Sequence, residues 1–261
     1  MNTPYQTLLK SEKIKQNKTK SEIPGFYNFI PSVYNVFIKM PFIHGTLAED
    51  IDTELIKIQD LFQFFVYDFP FKARNIYNLM EIGSYFDATI LFRSLVESFI
   101  IYKYYILKKD GTGLSNYFLG NSKMRIKDIF EKVIPGYYDS LYSELCKATH
   151  SNPLLQAIFR GNVSKSVPIK SNINNINLDW FSYVTNQLEP LIIGTIELYK
   201  YVYPNNTLIN DKDIKNDLEC IYNFINENIE YRKKNYPEQS EMIYYYDNLM
   251  KILKNINIRK W

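Results

Sequence analysis

Between Ile90 and Tyr105 the chain is apolar around most of a helical circumference, and the polar interruptions include three charges, Arg93, Glu97 and Lys103. Little of such a helix suits water, so other elements must surround it. Gly83-Ser84 precedes the segment and Asp110-Gly-Thr-Gly113 follows it, which predicts a central helix over Tyr85–Lys109. It is not a membrane span, because a span needs about 20 largely apolar residues and charges break this one. The segment demands a bundle of helices packed around it.

The rest of the chain supplies the helices. Thr46-Leu-Ala-Glu49 has the spacing of a capping box, and Ile51, Leu55, Ile58, Leu61, Phe62 and Phe65 recur after it at helical intervals up to Pro70. That pattern predicts a helix from Thr46 broken at Pro70, and a second over Lys72–Ile82. Further helices are predicted near Leu114–Leu119, over Lys123–Val133, over Tyr137–Thr149, and over Leu178–Tyr201 with a kink at Pro190. Residues 154–177 read as a long loop, 204–210 as a linker, and the C-terminal part as a hairpin of Lys212–Lys233 and Glu238–Asn255. No strand pattern competes. The class is all-α, in three segments: 1–45 polar and irregular, 46–204 the bundle core, and 205–261 the C-terminal hairpin.

Composition narrows the function classes. Net charge is only +3, and residues 1–30 account for all of it through Lys10, Lys13, Lys15, Lys18 and Lys20 against Glu12 and Glu22. This is not the charge of a strongly basic nucleic-acid protein, although Lys10–Lys20 reads as a solvated tail or a basic arm. Aromatics reach 16%, with 23 Tyr. Beside abundant Ile, Asn and Lys, they fit an AT-rich coding bias better than an aromatic nucleic-acid platform. The cysteines, Cys146 and Cys220, form no CxxC motif and suit two buried thiols in a reducing compartment. The first 25 residues contain no apolar signal-peptide core. A cytoplasmic protein without a membrane span is expected.

Two constellations could carry chemistry. Arg93 and Glu97 share a helix face at i, i+4 spacing. On a solvated helix such a pair is worth about 0.3–0.5 kcal/mol. Embedded in Leu91-Phe-Arg-Ser-Leu-Val-Glu-Ser-Phe99, it must offset a desolvation cost of roughly several kcal/mol per ion. It stands either as a clamp between helices or as part of a polar site. The second constellation is Tyr142, Cys146 and His150 at i, i+4, i+8, with Lys147 and Asn152 alongside. At a helix C-terminus His150 could cap the last carbonyls or serve as a general acid/base. His44 has no titratable neighbour in sequence and reads as a loop or core residue. Neither phosphate-loop, dinucleotide, zinc-protease nor nucleophile-elbow signatures occur, and the two histidines lack metal-ligand spacing. No cofactor and no metal are expected.

The run Leu79-Met-Glu-Ile-Gly-Ser-Tyr-Phe-Asp-Ala-Thr-Ile-Leu-Phe-Arg93-Ser-Leu-Val-Glu97, with Tyr142-Ser-Glu-Leu-Cys-Lys-Ala-Thr-His150 downstream, resembles an uncharacterised bacterial family known as domain of unknown function 5677. That family is similar in turn to the HEPN (higher eukaryotes and prokaryotes nucleotide-binding) helical domains. The resemblance covers roughly residues 50–200. It implies a bundle of four to five core helices, here with an extra C-terminal hairpin, a dimer, and an association with RNA cleavage in toxin–antitoxin and phage-defence systems. By the same resemblance Arg93 would hold a phosphate, Glu97 would orient it, and His150 would act as acid/base across a dimer groove. The ribonucleases among the HEPN domains carry Arg, then roughly four to six residues, then His. This chain has only Lys147 as a cation in that interval before His150. Two functions follow as expectations: an effector acting on RNA or a nucleotide, or a non-catalytic module that binds a protein partner, such as an antitoxin or defence component, or senses a ligand.

Overall fold

The computed structural model describes residues 4–22, 24–40, 52–143, 145–146, 178–203 and 212–235, and among them every regular element is helical. The elements are α1 (Pro4–Glu22), α2 (Pro24–Lys39), α3 (Thr53–Glu81), α4 (Tyr85–Lys108), α5 (Gly111–Phe118), α6 (Ile126–Val133), a π-helical turn (Tyr138–Tyr142), α7 (Leu178–Val202) and α8 (Lys212–Asn235). The all-α expectation holds. The second arm of the C-terminal hairpin, the 154–177 loop and the 204–210 linker lie outside the described residues.

Helix α4 is the hub the sequence predicts: α3, α5, α6 and α7 all pack on it. Fourteen of its residues are buried, among them Phe92, Leu95, Val96, Phe99 and Ile106. One of them is charged, since Lys103 is 3% exposed. Its ammonium lies 5.9 Å from the centre of the Phe99 ring, and burial lowers its pKa to about 8. Helix α8 closes on α2, where Phe224 stacks on Phe29 with centroids 4.4 Å apart. Buried residues from Phe29 to Ile225 form a single core cluster.

Three expectations need correction. The first 39 residues are not irregular, because α1 and α2 span most of them. The polar sequence of α1 lacks an apolar stripe, yet it buries Ser11 and Thr19. It also lays the Lys15 side chain against Gly83, where an added Cβ would come within 2.7 Å of the lysine Cδ. The Lys15 Nζ lies equally close to that position, and burial there lowers the pKa of its ammonium. Second, α3 begins at Thr53. Asp52 has an extended ψ of 125° and accepts from the Glu54 amide at 3.0 Å, so no helix runs into α3 from the Thr46–Glu49 capping box, itself outside the described residues. Third, Pro70 does not break α3, which continues to Glu81. Pro70 is buried with Phe65, Val66, Phe69, Ala73, Ile76 and Tyr77 on the core side, and that burial outweighs the one lost backbone bond. Pro190 lies inside α7, within the continuous helix expected there.

The stop at Gly83-Ser84 is where the sequence puts it. Gly83 (φ 78°) donates to the Met80 carbonyl at 3.0 Å and Ser84 to the Leu79 carbonyl at 2.7 Å, the paired bonds of a Schellman ending. At the far end of α4 the expected breaker is itself helical. Asp110 caps α5 by accepting from Gly113 at 2.6 Å, and Gly111 is the first residue of that helix. Glu54 of α3 accepts from the Lys57 ammonium at 2.8 Å and from the Thr112 hydroxyl and amide, both at 2.6 Å, and together these bonds hold its carboxyl down at about 2.

A Cβ on Gly111 would run into the Glu54 carbonyl oxygen and lie 2.8 Å from Lys57 Cβ. Gly111→Ala is therefore expected to destabilise the protein by about 1–3 kcal/mol in chemical denaturation, despite alanine's better helix propensity. An unchanged midpoint would show that α5 can back away from α3 at no cost.

Tyrosine turns out to be a structural residue here. Tyr102 donates to the Leu61 carbonyl at 2.9 Å, Tyr199 to Met40 at 2.7 Å and Tyr203 to Gln59 at 2.8 Å. Each ring fills the core while its hydroxyl satisfies a main-chain carbonyl. Burial pushes all three hydroxyls well above the ordinary tyrosine pKa.

Candidate functional site

Arg93 and Glu97 share a face of α4, as their spacing requires, and that face meets the segment after α6. Tyr142 comes between them. Its hydroxyl donates to Glu97 Oε2 at 2.7 Å and receives a long bond from Arg93 Nη2 at 3.5 Å. The guanidinium carbon also stands 5.5 Å from the centre of the Tyr142 ring, a cation–π arrangement. Arg93 and Glu97 are half-buried, whereas Tyr142 is 1% exposed. Burial of the pair is thus only partial. The charges lie at the edge of the core, and the neutral tyrosine is the sealed member.

Tyr142 is fixed from behind by Phe130 of α6, 4.5 Å between centroids, and by Tyr138 at 5.3 Å. It closes the π-helical turn, in which the Ser143 amide donates to the Tyr138 carbonyl. Such a turn inserts one residue into helical register and recurs at functional sites. Cys146, one helical turn further on, is half-buried rather than buried and lies within electrostatic reach of Arg93. Partial burial works against the Arg93 charge, but the Tyr142 bond, Cys146 and Glu97 outweigh it and hold the guanidinium above its ordinary pKa. The Tyr142 hydroxyl is pushed up by burial and then by the Glu97 carboxylate it bonds.

The structure therefore brings together Arg93, Glu97 and Tyr142, with Cys146 beside them. Lys147, His150 and Asn152 lie outside the described residues, as does His44. Chemically, the cluster is a cation whose position is fixed by an aromatic face and a hydroxyl, with a carboxylate one bond away. It can hold an anion or lock two helices. Further along α4, Tyr104 is flanked by Lys108 and Lys132, whose ammonium groups lie 4.8 and 5.7 Å from its ring centre. Reading α4 alone missed this aromatic with two cations, although the i, i+4 spacing of Tyr104 and Lys108 was a signal for half of it. A groove beside the start of α6, lined by Lys123, Met124, Asp128, Glu131 and Lys132, takes in none of the Arg93 cluster.

Among the described residues no group of three or more His, Cys, Asp or Glu could hold a metal ion, and no helix is long and apolar enough to cross a membrane. No protein family, curated protein or solved structure matches the chain.

Proposed function

We propose that the chain is a HEPN-like helical effector directed at RNA or a nucleotide, working in a bacterial defence or toxin–antitoxin system. In this reading Arg93 contacts a phosphate, Glu97 and Tyr142 hold it in place, and His150 supplies acid/base chemistry. What supports the reading is the Arg93–Tyr142–Glu97 cluster: a half-exposed guanidinium set in position by a residue from a separate helical segment. The role of His150 rests on the sequence resemblance alone.

The test is incubation of the purified protein with total RNA beside His150→Ala and Arg93→Ala variants, together with calorimetric titration of a mononucleotide and a short single-stranded RNA. RNA turnover reduced roughly a hundredfold or more by His150→Ala, within the range of one general acid/base, supports it. Identical RNA profiles for all three proteins, with no nucleotide bound, sink it.

A second reading is a non-catalytic module for a protein partner or a sensed ligand. Its specific support is that the Arg93 guanidinium already rests on the Tyr142 ring and bonds its hydroxyl, as a clamp between α4 and the following segment would. It expects Arg93→Ala to lower thermal stability while any partner affinity survives in the remaining folded protein.

A further inference from the structure

The outer face of α3 carries three aromatic residues in solvent: Phe64 is 71% exposed, Tyr67 56% and Phe71 36%. Their spacing, i, i+3, i+7, is that of a seam along one helix face. Exposed aromatics scattered singly need no explanation, but a contiguous row along a helix does. The row is also preordered. Tyr67 and Phe71 touch at 5.5 Å between centroids, and Tyr34 of α2 meets Phe71 edge-on at 6.3 Å. Little side-chain entropy remains to be lost on docking.

The charges bordering the row identify what it fits. One heptad before Tyr67 on the same face lies Asp60, and one heptad after it lies Arg74, both exposed. Neither forms an ion pair among the described residues, the Arg74 guanidinium lying 5.9 Å from the Tyr34 ring centre, while the nearby Lys57 and Asp68 are committed to Glu54 at 2.8 Å and to Lys72 at 2.7 Å. Read from its N-terminal end, the face is acid, aromatic, aromatic, aromatic, base. Turned end for end, it is complementary to itself.

We propose that a second copy of this chain docks on this face, α3 against α3 in antiparallel orientation about a two-fold axis at Tyr67. In that arrangement Asp60 faces the partner's Arg74, and Phe64 of each protomer packs on the partner's Phe71 with an offset of one residue, about 1.5 Å along the helix. A two-fold interface must use one patch twice in this way, and a palindromic row satisfies that condition without any second surface. The three rings expose on the order of 300 Å² per protomer, taking about 200 Å² for a full ring. Two such rows bury about 600 Å², so the flanking side chains must contribute as much again to reach the low end of specific interfaces, about 1,200 Å² in total. An interface of this size suits a weak, reversible dimer, so association is sought in the micromolar range. The proposal is independent of any ligand at Arg93.

Sedimentation velocity on the full chain, from about 1 to about 100 μM, is the test. Wild type is expected to shift from one chain mass to twice that mass across the range. Phe64→Glu, Asp60→Arg and Arg74→Asp should each weaken association by about tenfold or more, with unchanged helical content because all three positions are exposed. The double exchange Asp60→Arg/Arg74→Asp should return the dimer to within about threefold of wild type, since the palindrome is then merely reversed. Tyr67→Cys should form an intermolecular disulfide under mild oxidation. A monomer at every concentration overturns the proposal, whether the face stays bare or is covered by another part of the same chain. So does a dimer indifferent to Phe64→Glu, or a double exchange no better than either single one.

Discussion

Replacing Lys103 by Met should stabilise the protein by about 3 kcal/mol at pH 7, an unusual direction for a core substitution. Lys103 is 3% exposed in the middle of α4, and burial lowers its pKa to about 8 from an ordinary 10.5. A lysine whose folded pKa lies below its unfolded value favours folding when it is uncharged. Its cost is fully present below pH 8 and shrinks as pH rises from 8 toward 10.5. At pH 7 two and a half pKa units correspond to about 3 kcal/mol, at about 1.36 kcal/mol per unit. Methionine has a similar reach and no charge to desolvate, so it recovers that cost while keeping the volume.

The pH profile tests the cause rather than the size. Wild-type stability from urea unfolding should climb by about 2 kcal/mol between pH 7 and pH 9.5, and that slope should be absent in Lys103→Met. The window ends there because the buried hydroxyls of Tyr102, Tyr199 and Tyr203 have pKa values raised by burial. Above about pH 10 an unfolded tyrosine ionises first, which pulls stability back down. Parallel profiles for the two proteins between pH 7 and 9.5 would mean that Lys103 stays charged and solvated in the fold.

Lys103 also shows what periodicity can and cannot convey. The apolar run Ile90–Tyr105 made the central helix legible, and Gly83-Ser84 made its start legible, because both signals are local and the physics behind them is local. Pro70 misled for the opposite reason. A proline costs roughly 3 kcal/mol in a helix interior, and whether flanking core contacts outweigh that is a matter of tertiary packing. Helix α1 escaped notice because its buried side chains are Ser11, Thr19 and part of Lys15, which no hydrophobic pattern contains.

At the candidate site, the i, i+4 spacing of Arg93 and Glu97 fixed their common face but said nothing of what stands opposite. The Tyr142 bridge spans 45 residues to Glu97 and 49 to Arg93. It arrives through a π-helical turn whose register cannot be read from 3.6-residue periodicity. Half-burial had the same origin: the element packed over that face is the short α6, with its following turn, and not a second long helix.

Tyr142→Ala is expected to be the most damaging single substitution at that site, costing about 3–5 kcal/mol, because it empties a sealed aromatic position against Phe130 and Tyr138. Tyr142→Phe separates the hydroxyl from the ring. It keeps the packing and the aromatic face under Arg93, and removes only the 2.7 Å bond to Glu97 and the long bond from Arg93. A hydrogen bond to a charged group is worth about 1.5–3 kcal/mol. Glu97 is half-buried and can take water instead, so Tyr142→Phe should cost about 1–2 kcal/mol.

The hydroxyl also decides between the two functional readings. If the cluster is a clamp, Arg93→Ala in the Tyr142→Phe background should add little to the loss, because both substitutions remove much of the same bridge. If Arg93 is poised for a phosphate, Tyr142→Phe should leave a folded protein whose nucleotide or RNA affinity falls several-fold, since the guanidinium is then less well oriented. A Tyr142→Phe protein that melts and binds like wild type would remove both roles at once, and would leave Arg93 and Glu97 an ordinary half-solvated pair of about 0.3–0.5 kcal/mol.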